Sequence, residues 1–179
     1  DFVTKGDDFQ NFANAVTDLA LAKSAADIDS LLAAQLPSGE TVADSAKALV
    51  AKIGENINVR RVTLLENTVG TVGSYQHGSR IGVLVDMTGG NEELAKDVAM
   101  HIAASKPVCV DASEVPAELI AKEKEIYTAQ AAESGKPAEI IEKMVTGRIN
   151  KFLKEITLVG QPFVKDPDTT VEKLLKDAG

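Results

Sequence analysis

Apolar residues recur at helical spacing through the first third of the chain. Phe9, Phe12, Val16, Leu19 and Lys23 follow an i, i+3, i+7 rhythm, and Asp7 is placed to cap that helix. A short second helix is predicted over 27–34, before Pro37-Ser38-Gly39 breaks the pattern. Thr41 with Asp44 three residues on reads as a capping box. Val42, Ala46, Leu49, Val50 and Ile53 then make one apolar stripe, which Gly54 is placed to end.

At Ile57 the period changes. The run from Ile57 to Leu65 is β-branched and roughly alternating, so it predicts a strand. Two further strands are predicted near 71–77 and 80–87, turned by Gly78-Ser79. Gly89-Gly90-Asn91 makes the next turn, with Asn91 as the cap of a helix that buries Leu94, Val98 and Ile102 and stops at Pro107. Between 113 and about 154 the rhythm is helical again. Leu119, Ile120, Ile126 and Tyr127 mark one helix; Ile141, Val145, Ile149 and Phe152 mark another. Gly135 and Pro137 punctuate the join, so the two helices must run antiparallel, and their many Lys and Glu residues suit a projecting helical hairpin. A last strand near 157–159 and a short helix over 170–176 finish the chain. This order, with hairpins and no βαβ alternation, predicts an α+β fold with small antiparallel sheets flanked by helices.

Composition narrows the chemistry. Hydrophobic residues make up 44% of the 179, enough for a core, but aromatics are only 4% and Trp is absent, so Leu, Ile, Val and Ala must build it. The net charge of -8 repels phosphate backbones and argues against a nucleic-acid partner. Arg60-Arg61 is a lone basic pair, and Lys122 and Lys124 are interleaved with Glu123 and Glu125. The single cysteine, Cys109, can form no internal disulfide, which suits a reducing, cytoplasmic setting. No apolar run reaches the ~18 residues that span a bilayer, and no signal peptide is visible.

Residues that could form an active site are few. His77 and His101 are the only histidines, neither sits in a metal-binding motif, and no metal or cofactor is expected. His101, on a helix among Ala and Ile, reads as a packing or surface residue. Cys109 reads as a small hydrophobe. The glycine spacing from Gly73 to Arg80 resembles a phosphate-binding loop, but it lacks the following Lys and leads into a strand, so direct nucleotide binding is not expected. Two features stand apart. Asp1-Phe2-Val3 places an aromatic beside an acid ahead of a helix, which as residues alone reads first as core entry. Tyr75-Gln76-His77, expected at a hairpin tip, suits a recognition surface.

These same residues carry a resemblance. Asp1-Phe2-Val3 looks like the T-D-F-V motif of the elongation factor Ts family without its leading Thr. The stretch from Ala51 to Arg61, Gly73-Ser74-Tyr75-Gln76-His77-Gly78, and Met100 to Pro107 are similar to hallmark stretches of that family. So are Ser134-Gly135-Lys136-Pro137, Lys143-Met144-Val145 and Gly160-Gln161-Pro162-Phe163-Val164. The resemblance runs in order along nearly the whole chain, to the family's central region. The small N-terminal helical domain and the C-terminal module of the family have no counterpart here, and 35–41 looks longer than the family's equivalent.

The resemblance implies two α+β subdomains, 1–67 and 68–179, with a coiled-coil insertion at about 114–152. It implies a guanine-nucleotide exchange factor that binds elongation factor Tu, with no catalytic acid or base. The alternative is a Tu-docking or scaffolding module that does not exchange; an enzyme has little support. By resemblance Phe2, flanked by Asp1 and Val3, enters an apolar pocket on the GTPase domain of Tu and disturbs its Mg²⁺ site. Ile53 and His77 match other partner-contacting positions. The family's helical regions are also compatible with self-association.

Overall fold

The computed structural model describes residues 2–66 and 69–179; Asp1 and the expected subdomain junction at Asn67 lie outside them. The chain divides into two compact units, Asp1–Glu66 and Asn67–Gly179.

The first unit is built from three helices: α1 (Asp7–Ala22), α2 (Ile28–Ala33) and α3 (Val42–Ile53). Asp7 does not cap α1. It lies within the first turn beside Asp8, with Gly6 at the cap, so both carboxylates meet the positive end of the helix dipole instead. Asp27 caps α2 by accepting from the Ser30 amide at 2.8 Å. At α3 the capping box forms: Thr41 Oγ1 accepts from the Asp44 amide at 3.1 Å and donates to the Asp44 carboxylate at 2.8 Å. Gly54 closes α3 in the left-handed region, φ 81°, where a side chain would clash with its own backbone. Val16, Ala25, Leu31, Leu36 and Val42 form the core of this unit.

The segment Ile57–Leu65 is not a strand. Its burial alternates with a break of phase at Arg60-Arg61, and Val59 and Val62 pack against the core, yet among the described residues no backbone hydrogen bond ties it to another segment. The alternation specifies a half-buried extended chain; a strand also requires a neighbour to complete the ladder, which residue type alone cannot supply.

The second unit holds both sheets found among the described residues. Strands β1 (Thr71–His77) and β2 (Ile81–Met87) pair antiparallel from Thr71↔Met87 to His77↔Ile81. The turn is 78–80, opened by Gly78 at φ 58°. Helix α4 (Glu92–Ser105), capped by Asn91 through the Leu94 amide, packs across both strands. Gly73 permits the close approach: a Cβ there would stand 2.5 Å from Ala95 atoms. Val85, Val98, Ala99, Leu158, Phe163 and Val171 make this unit's core.

Helices α5 (Ala117–Ala132) and α6 (Ala138–Ile156) are joined by a five-residue turn and pack on each other. Arg148 of α6 donates to Gln130 at 2.8 Å and lies 5.7 Å above the Tyr127 ring. Residues 157–159 lie alongside 108–110 through an isolated parallel bridge, Cys109↔Thr157, and the Leu158 and Val159 amides donate to the Cys109 and Val110 carbonyls, without making the expected final strand. The second sheet lies further on, β3 (Pro162–Phe163) against β4 (Asp166–Thr170), where two prolines and two aspartates disguise it in the sequence. Thr170 then caps α7 (Val171–Asp177). The α+β fold class is as the sequence predicts.

Candidate partner-binding surface

In the first unit the N-terminal residues do not enter the core. Phe2 is 96% exposed, which overturns the core-entry reading of this segment. Its backbone is nonetheless fixed. A single 3-10 turn, Val3–Lys5, follows it, with the Lys5 amide donating to the Phe2 carbonyl at 3.2 Å and the Gly6 amide to the Val3 carbonyl at 3.0 Å. The side chain is thus held out on an anchored stem.

Beside that stem lies a cleft of about 540 Å³. It is lined by Val3, Thr4 and Phe9 and by Glu55, Asn56, Ile57, Asn58 and Arg60. Ile53, half-buried, is the last residue of α3 and does not line the cleft, whose nearest lining residue, Glu55, is two residues beyond it. Lys52, its neighbour, pairs with Asp8 of α1 at 2.7 Å and ties the two helices together. The polar lining residues Asn56, Asn58 and Arg60 were not among the candidates from sequence. Their signal is the period of two, which sets them on one side of an extended segment.

In the second unit His77 is the last residue of β1 and is exposed. Tyr75 and His77 lie within the strand, not at the hairpin tip, which is Gly78 to Arg80. Tyr75 Oη lies 3.3 Å from His77 Nδ1. A groove of about 430 Å³ adjoins them, lined by Ile81, by Met100, Ala103 and Ala104 of α4, and by Val164 and Lys165. Lys165 is engaged with Asp97.

His101 has the opposite fate. It is fully buried; the Val164 amide donates to its Nδ1 at 3.1 Å, so Nε2 carries the proton and donates to Gln161 Oε1 at 2.9 Å. Gln161 in turn donates to the Glu155 carbonyl at 2.8 Å. This histidine is structural. Cys109 is half-buried, and its Sγ donates to the Asp111 carbonyl at 3.3 Å. Burial, then the nearby carboxylates Glu114 and Asp111, raise its pKa and keep it a thiol. Among the described residues no group of three or more His, Cys, Asp or Glu could hold a metal, and no helix is long and apolar enough to cross a membrane.

The first unit thus holds an aromatic out to solvent beside a cleft, and the second carries an exposed histidine at the end of a paired strand. The model of the family described as Elongation factor TS matches residues 1–179, and the chain belongs to that family. It is 63% identical to "Elongation factor Ts" of Methylococcus capsulatus and 60% identical to that of Thioalkalivibrio sulfidiphilus, in each case over all of this chain. The protein of Alkalilimnicola ehrlichii is 59% identical. The chain spans about 61% of the length of these relatives.

Proposed function

We propose that this chain is the Tu-binding core of a guanine-nucleotide exchange factor for translation elongation, acting in the cytoplasm by binding alone and not as an enzyme. The observation that carries the reading is Phe2. A phenylalanine left 96% exposed forgoes the roughly 2–3 kcal/mol that burial would contribute, while its backbone is pinned by the turn that follows. An anchored, exposed aromatic is the form taken by a side chain that inserts into a partner.

Exchange then follows from linkage. If the chain binds nucleotide-free Tu more tightly than GDP-bound Tu, GDP must bind the complex more weakly by the same factor. Insertion of Phe2 into the GTPase domain displaces the Mg²⁺ site; losing that charge loosens the β-phosphate. Asp1 and Val3 flank the insertion, and Ile53 and His77 add contacts. No group on this chain gives or takes a proton in the scheme.

The test is release of a fluorescent GDP analogue from purified Tu, with wild type beside Phe2→Ala. Faster release that the variant loses by about tenfold or more, the worth of one large buried anchor, supports the reading. Equal acceleration by both overturns the role of Phe2. A second reading is a Tu-docking module without exchange. Binding to Tu without acceleration selects it.

A further inference from the structure

Tyr75 and His77 stand two residues apart on one strand and so share a face. Their ring centroids are 6.3 Å apart with planes inclined by only 26°, and the Tyr75 hydroxyl reaches His77 Nδ1. The two residues are anchored very differently. Tyr75 is half-buried, lies opposite Val83 in the ladder and packs against the core of its unit. His77 sits at the strand end and is exposed, and its Nε2 has no hydrogen-bond partner among the described residues. The rigid residue therefore positions the free one.

The direction of the hydrogen bond follows from chemistry. A phenol donates well and accepts poorly, whereas an unprotonated imidazole nitrogen accepts well. With the imidazole neutral, donation by Tyr75 to Nδ1 would confine the ring's own proton to Nε2. The adjoining groove offers the ring no competing polar group: Met100, Ala103, Ala104 and Val164 are apolar, and Lys165 is engaged with Asp97.

We propose that Tyr75 is a positioning residue, which holds His77 as its Nε2–H tautomer and aims that N–H at an acceptor oxygen on the bound partner. The proposal rests on the reading of the chain as a Tu-binding exchange factor and deepens it. His77 acts as a donor of fixed direction, and the residue that fixes it need not touch Tu.

Two measurements on the full chain test this. The first is ¹⁵N NMR of the histidine ring nitrogens at alkaline pH, with His101, held on both nitrogens, as internal reference. Wild type shows His77 as the Nε2–H form. Tyr75→Phe, which keeps the core volume and removes only the hydroxyl, moves His77 towards the tautomer mixture of free imidazole. Unchanged His77 shifts overturn the pairing.

The second is GDP release from Tu with wild type, Tyr75→Phe, His77→Gln and the double variant. Tyr75→Phe raises the half-saturating concentration about fivefold, the equivalent of one ordinary hydrogen bond, and leaves the maximal rate unchanged. In the His77→Gln background, whose amide has no tautomer to set, Tyr75→Phe adds nothing. Equal half-saturation for wild type and Tyr75→Phe, or additive effects of the two substitutions, overturns the positioning role and leaves the exchange reading intact. No acceleration by wild type overturns the exchange reading; the half-saturating concentration is then read from binding to Tu, and no binding overturns the partner-directed half of the proposal, leaving the NMR result to decide the pairing.

Discussion

Two histidines in one chain do opposite things. His101, which lies between Met100 and Ile102, is fully buried with both ring nitrogens engaged, whereas His77, two residues from an aromatic, is exposed. His101→Phe keeps most of the ring volume but strands the Val164 amide and the Gln161 carbonyl oxygen. Leaving buried polar groups unpaired costs about 2–4 kcal/mol here, to be read as a lower urea midpoint. Phe2→Ala should leave that midpoint unchanged, because the exposed ring contributes no packing. The pair of variants separates stability from recognition at single residues. A Phe2→Ala chain that unfolds early would mean that the ring packs in solution.

At the scale of the element, two glycines test how each part is held. Gly73 lies where β1 meets α4, and Gly73→Ala drives a methyl to within 2.5 Å of Ala95 backbone and side-chain atoms. Backbone on both sides must shift, so about 1–3 kcal/mol or more is lost, with amide shift changes concentrated in β1, β2 and α4. Gly147 is the reverse case. It lies inside α6 with nothing within 4 Å of an added methyl, so Gly147→Ala raises stability by about 0.5–1 kcal/mol through a less disordered unfolded chain. A loss there would show that the helix face is covered. Caps add an acid sensitivity. The Ser30 amide holds the Asp27 carboxyl below its usual range, as the Thr41 hydroxyl does for Asp44. A lowered folded pKa gives stability that is present above the unfolded value and lost as pH falls through the folded one. Helix α2 should therefore fray below about pH 4, and Asp27→Asn, which caps without a charge, should remove that component from a circular-dichroism titration.

For the whole molecule, charge decides which partners are disfavoured. A net charge of -8, with lysines such as Lys52, Lys165 and Lys176 engaged by carboxylates of the same chain, disfavours a phosphate backbone. Duplex DNA titrated at low salt should produce no saturable binding, and binding that weakened steeply with salt would contradict this. The proposed recognition residues stand on ordered supports in each unit: Phe2 ahead of the 3-10 turn Val3–Lys5, His77 at the end of a paired strand. Rigid presentation lowers the ordering cost of association, which is how a small number of side chains suffices.

What the sequence determined by itself is what depends on neighbours in the chain. Helix stripes, the Thr41 and Asn91 caps, the Gly54 stop and the β1–β2 hairpin all rest on local geometry and were legible from spacing and residue type. Family membership was legible too, because the motifs occur in order. Tertiary structure alone decided the rest. Ile57–Leu65 has the alternation of a strand but no ladder partner among the described residues, and β3–β4 has a ladder in spite of its prolines, because pairing depends on what lies alongside. The exposure of Phe2 and the complete burial of His101 were decided in the same way. Burial is a property of the space around a residue, and an aromatic beside an acid, or a histidine among alanines, reads alike in sequence whether that space is filled by protein or by water.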